Sequence, residues 1–142
     1  MARDPLATVA RLRRLAQDDA RQALAQALAH EAQAADRANS VQRDIASQAA
    51  AASSMDTGDA AVEAFAAWLP GARQQAAAAR DVCERAGAEV GRLRAVLSAT
   101  RAALEGVETL IAERSANDAQ GRERQAEAER DDAGRPRPDP LA

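Results

Sequence analysis

The sequence predicts an all-α fold: a long antiparallel two-helix coiled-coil hairpin with a protruding, frayed C-terminal end. Three observations predict it. The first is a seam in the second half of the chain: Val62, Phe65, Leu69, Ala72, Ala76, Ala79, Cys83, Ala86, Val90, Leu93, Leu97, Thr100, Leu104, Val107 and Ile111. Its members are spaced alternately by three and four residues, and such a row stays on one helix face only if the helix supercoils around a partner. The second is composition. Alanine supplies about three residues in ten, and Phe65 and Trp68 are the only aromatics. Alanine favours helix because it loses no side-chain entropy there, but it cannot fill a broad core. The third is a break of turn-forming residues between two helical patterns, at Ser53-Ser54-Met55-Asp56-Thr57-Gly58-Asp59.

The first helix is expected from about Asp4 to about Ser53. Asp4-Pro5 is a suitable start, because aspartate caps and proline is tolerated at the first helical position. Its apolar face is read as Leu6, Val9, Leu12, Leu24, Leu28, Ala35, Ala38, Val41, Ile45, Ala49 and Ala52, with Glu31 and Gln42 on or beside it. The turn, at about residues 54–59, makes the two helices antiparallel neighbours, and Asp59 can cap the second. That helix is expected from Ala60 to roughly Arg130. Pro70-Gly71 falls inside it without shifting the heptad phase, which predicts a kink and not a boundary. The glycines at 71, 87, 91 and 106 avoid the seam.

Helix length supports the hairpin. About 50 residues give the first helix ~75 Å, and the same distance forward from the turn ends near residue 110, where the seam stops at Ile111. Beyond it, Glu113 to Asp132 reads as a solvated helix that frays. Residues 1–132 thus form the hairpin. Residues 133–142, with Arg135-Pro136-Arg137-Pro138-Asp139-Pro140, form a flexible tail. Small residues in the middle of the seam, at Ala72, Ala76, Ala79 and Ala86, imply close approach of the helix axes. Trp68, Val82, Val96 and Leu110 widen the apolar stripe on one flank.

All 19 basic residues are arginine. A GC-rich genome explains this, and selection for bidentate recognition of carboxylates is the alternative. The net charge of −3 argues against a dedicated nucleic-acid binder. Arg11, Arg13 and Arg14 make the one tight basic cluster. No uncharged apolar run approaches the ~20 residues needed to span a membrane, so no direct membrane insertion is expected. The basic, amphipathic start from Met1 to Ala20 lacks a secretory core. The bacterial cytoplasm is the expected location.

The chain is not expected to be an enzyme, and no cofactor, metal or catalytic residue is assigned. Without lysine there is no phosphate-binding Gly-x-x-x-x-Gly-Lys loop. His30 and Cys83 offer two soft ligands, too few for zinc. Cys83 stands at a seam position suited to a small apolar residue, and His30 reads as solvent-facing. Recognition is the remaining chemistry. Phe65, Trp68 and Leu69 either plug the bend end of the coil or leave one ring exposed as a docking hot spot. Of the two rings, Trp68 is the better candidate for exposure, because it lies on the seam's flank.

The chain resembles the FliJ family, small coiled-coil components of the bacterial flagellar type III export apparatus. The residues that carry the resemblance are Leu6-Ala7-Thr8-Val9 followed by Leu12-Arg13-Arg14-Leu15-Ala16, the turn Met55-Asp56-Thr57-Gly58, and Phe65-Ala66-Ala67-Trp68-Leu69-Pro70. The similarity covers about residues 4 to 130. It implies a stalk, peripherally associated with the inner-membrane export apparatus, that couples the export ATPase ring to the cytoplasmic domain of the export gate and is linked to recycling of export chaperones. Phe65, Trp68, Leu69 and Ala72 are then the gate-binding patch. Arg11, Arg13 and Arg14 lie at the end expected to enter the ring. An intramolecular hairpin is expected to be a monomer. The stalk of a virulence-type secretion system and a generic structural coiled-coil adaptor are the competing readings.

Overall fold

A computed structural model describes residues 4–54, 56, 58–137 and 141. Of the expected turn, Met55 and Thr57 lie outside the described residues. So do Met1 to Arg3 of the basic start, and Pro138, Asp139, Pro140 and Ala142 of the tail. Among the described residues there are two helices and no strand: α1 (Pro5–Ala52) and α2 (Asp59–Gly134). They pack against each other as an antiparallel hairpin. Packing divides the molecule into two units, Met1–Leu15 with Arg101–Ala142, and Ala16–Thr100.

Local chemistry sets the helix ends. The Asp4 carboxylate accepts the Leu6 N–H at 3.1 Å, which satisfies one of the free donors of the first turn. α1 closes where the Ser53 hydroxyl donates to the Ala49 carbonyl at 2.8 Å. At the start of α2 the expected cap is displaced by one residue. The Gly58 carbonyl accepts the Ala61 N–H at 3.0 Å, and Asp59 is already inside the helix. There its charge complements the helix dipole. α2 runs through Pro70 without interruption. Proline forfeits one backbone bond, and the packed seam on both sides of it carries the helix onward.

In the unit Ala16–Thr100, the α2 seam is the core. Ala72, Ala76, Ala79, Ala86, Val90, Leu93 and Leu97 are buried, and Phe65, Leu69, Cys83 and Thr100 are half-buried. Thr100 satisfies its hydroxyl locally by donating to the Leu97 carbonyl at 2.9 Å. Val62 departs from expectation and is 51% exposed. The residue before it, Ala61, is half-buried and lines a groove with Ala51 and Ala52 of α1, so the covered row is displaced by one position here.

The α1 face differs more. Its covered row in this unit is Gln17, Ala20, Leu24, Ala27, Glu31, Ala34, Ala38, Val41, Ile45, Ala49 and Ala52, with Ala16, Ala23 and Ala35 half-buried beside it. That row is regular apart from one extra four-residue step between Val41 and Ala49. Leu28, expected inside, is 39% exposed. Glu31 takes a seam position instead. A longer residue is accommodated there because Gly87 lies opposite: a Cβ on Gly87 would stand 3.3 Å from Glu31 Oε1.

In the unit Met1–Leu15 with Arg101–Ala142, Ala10 and Leu104 are buried, and Leu6, Val107 and Ile111 are half-buried. Val9 and Leu12, expected on the inner face, are exposed, Leu12 at 57%. Arg114 donates to Asp4 at 3.0 Å and Arg14 to Glu108 at 3.4 Å, two exposed ion pairs between the helices. Past Ile111 the expected loss of an apolar partner holds: among the described residues only Ala119 and Ala126 are less than exposed. The segment expected to fray is helical through Gly134.

Candidate functional site

Two candidate sites follow from the sequence, one in each unit. The first is the start of α2 in the unit Ala16–Thr100. Phe65, Leu69 and Ala72 are seam residues; Phe65 and Leu69 are half-buried and Ala72 is buried. Trp68 stands one residue before Leu69, outside the seam, and is 42% exposed. Its ring leans on Phe65, with centroids 5.9 Å apart and planes tilted by 38°. Ring contact at this centroid distance is favourable. The pair is thus part plug and part surface: Phe65 is half-buried in the seam, and Trp68 beside it is exposed.

An open groove adjoins the two rings. Gln48, Ala51 and Ala52 from α1 and Ala61 and Ala64 from α2 complete its walls. The lining is mostly apolar and rich in alanine, whose short side chains leave the space beside the rings unfilled. Gln48 supplies the one polar side chain. The arrangement suits an apolar side chain from another protein, received beside an indole. A second groove farther along the same unit is lined by Ala34, Arg37, Val41, Gln75, Ala79 and Val82. Trp68, Gln75 and Val82 occupy one heptad position, so both grooves lie along the same flank of α2. The sequence flagged Trp68 and Val82 on this flank. The grooves escaped it, because only the facing alanines of α1 reveal them.

The second candidate is the arginine cluster at the start of α1. Arg11, Arg13 and Arg14 are all exposed. Consecutive helical positions point in different directions, so the three do not form one flat patch. Arg14 is engaged with Glu108, while Arg11 and Arg13 make no ion pair among the described residues. The cluster can therefore offer two unengaged guanidinium groups to an acidic surface, and a third on release of an exposed pair.

His30 is exposed and Cys83 is half-buried, the former on the rim of a shallow groove with Gln26, Glu89 and Arg92. Among the described residues no three His, Cys, Asp or Glu side chains gather as metal ligands. No helix among them is long and apolar enough to cross a membrane. The clearest perturbed pair is Glu89 with Arg92, one turn apart. Arg92 donates twice, at 2.9 and 2.6 Å, and this bidentate bond holds the Glu89 carboxyl below its ordinary range. Comparison with known proteins finds that no protein-family model, no curated protein and no solved structure matches this chain.

Proposed function

We propose that this chain is a non-enzymatic stalk of the bacterial flagellar type III export apparatus, a FliJ-like protein that couples the export ATPase ring to the export gate and escorts export chaperones. The observation that carries the reading is Trp68, held over Phe65 at the start of α2 with 42% of its surface free beside an alanine-walled groove. A large aromatic so placed on a two-helix hairpin fits a docking anchor better than a core residue. The gate's cytoplasmic domain is its partner in this reading, with Leu69 and Ala72 setting the backbone beneath it. Arg11, Arg13 and Arg14 meet acidic groups of the ATPase ring. The protein works as a cytoplasmic monomer at the periphery of the inner membrane.

The test is capture on the immobilised chain from lysate, followed by identification of retained ATPase and gate components. Retention of both, with gate binding lost in Trp68→Ala and ATPase activation lost in the combined Arg11→Glu, Arg13→Glu, Arg14→Glu variant, is the expected result. Retention of a virulence-type ATPase would reassign the system. Retention of neither component would reject the stalk reading.

A further inference from the structure

A second surface, on the opposite flank of the α2 seam from Trp68, belongs to none of the roles above. Each buried seam residue Ala72, Ala79, Ala86 and Leu93 is followed by the next member of another row: Arg73, Arg80, Gly87 and Arg94. The four share one heptad position, so the row runs beside the seam for roughly 30 Å. The three arginines are exposed, and none makes an ion pair among the described residues. The sequence gives Arg73 and Arg94 no acid three or four residues away. Arg80 has Glu84 within that reach, and the two do not pair. In the gap, Gly87 carries no side chain, and the Glu31 carboxylate reaches in from α1. Leu28, 39% exposed on α1, adds apolar surface on the same edge.

We propose that this edge docks an acidic helix of a partner protein, in which carboxylates seven residues apart meet Arg73, Arg80 and Arg94 and a small uncharged residue sits over Gly87. Guanidinium groups pair with carboxylates bidentately, and a heptad spacing on one helix is matched by a heptad spacing on another. The Glu31 carboxylate sets the exclusion: an acid opposite Gly87 meets like charge. A nucleic acid suits the edge less well. Its phosphates would face Glu31 and Glu84 as well as the arginines, the row holds no aromatic for stacking, and the chain's net charge is −3.

The probe is a synthetic alanine-based helical peptide with glutamates at relative positions 0, 7 and 21 and alanine at 14, titrated against the full chain by fluorescence anisotropy. Its reversed sequence is run beside it, because binding by either supports the proposal and reports helix direction. A peptide of identical composition with the glutamates off the heptad, and a duplex DNA, complete the set. The matched peptide is expected to bind about tenfold or more tighter than the off-heptad peptide at low salt, and to weaken as salt rises. The combined Arg73→Gln, Arg80→Gln, Arg94→Gln variant should lose this preference while still melting cooperatively. A control removing three exposed arginines elsewhere in the unit, Arg37→Gln, Arg43→Gln, Arg85→Gln, should keep it. Equal binding of matched and off-heptad peptides, equal loss in the control, or tighter binding to DNA than to either matched peptide would overturn the proposal.

Discussion

The Glu31 side chain occupies the space that a side chain on Gly87 would fill, its Oε1 lying 3.3 Å from the position of a Cβ there. A half-buried glutamate on the inner row of one helix is thus matched to a missing side chain on the other. The pairing lets α1 keep its small-residue row without a gap or a buried unpaired charge.

Gly87→Ala tests how firmly that carboxylate is held. A helical glycine is less stable than alanine by roughly 1 kcal/mol. The only crowding comes from the far end of a flexible glutamate, which retains access to water. The variant should therefore be more stable by about 0.5–1 kcal/mol, read as a higher denaturant midpoint at unchanged slope. A lower midpoint would mean that Glu31 cannot move. In that case Gly87→Ala combined with Glu31→Ala should recover the gain.

The contrast between the two helices shows what the sequence makes legible. On α2, Val90, Leu93, Leu97 and Leu104 stand out from their polar neighbours, so the seam reads directly and is found buried. Val62 continues the pattern, yet it is exposed, and Ala61 before it takes the covered position beside Ala52. On α1, alanine is spread around every face, and the large apolar residues Val9, Leu12 and Leu28 lie off the packed row. Periodicity finds part of the row, for Leu6, Leu24, Val41 and Ile45 are half-buried as expected, but it passes over Ala20 and Ala34, which do not look like core. The partner helix alone decides which alanines are covered. The exposure of Trp68 was legible from its place off the seam. The groove beside it was not, since it is made of side chains that are absent.

Ala79→Leu tests the close approach of the helices. Ala79 is buried and faces the part of α1 that carries Ala34 and Val41. Three added carbons must enter a contact set by alanines, which should cost about 1–3 kcal/mol. The open groove beside Val82 is an outlet. An unchanged or higher melting temperature would show that leucine escapes into it and that the axes are not held close.

Phe65 and Trp68 should separate under truncation. Phe65 is half-buried in the seam, so Phe65→Ala removes packing and should destabilise by about 2–4 kcal/mol. Trp68 is 42% exposed, and Trp68→Ala should cost less, about 1–2 kcal/mol, mainly through the lost ring contact. Thermal melting of both variants gives the order. A larger loss for Trp68→Ala would make that residue the plug and remove the argument for a docking role.

The bidentate Glu89–Arg92 pair predicts a small acid dependence. The arginine lowers the folded-state value of the Glu89 carboxyl. The stabilisation is therefore present above the ordinary carboxylate range and is lost as pH falls through the lowered folded value. Both side chains are exposed, so solvent screens the effect. Wild type should melt slightly above Glu89→Gln near neutral pH, and the two should converge in acid, once pH has fallen below the lowered folded value. A difference that persists in acid would place the effect in helix propensity and not in charge.

Asp4 carries two tasks that different substitutions can divide. One oxygen, Oδ1, accepts the Leu6 N–H at 3.1 Å and the Arg114 guanidinium at 3.0 Å. Asparagine retains the capping oxygen and removes the charge, whereas alanine removes both. The cap is worth about 1 kcal/mol, and the exposed ion pair at most about that. Asp4→Ala should therefore destabilise clearly, and Asp4→Asn only slightly. In 0.5 M salt, where ion pairs are screened, asparagine should match wild type while alanine stays weaker. Equal loss for the two variants at high salt would show that the hydrogen bond to Leu6 contributes nothing, leaving Pro5 alone to start the helix.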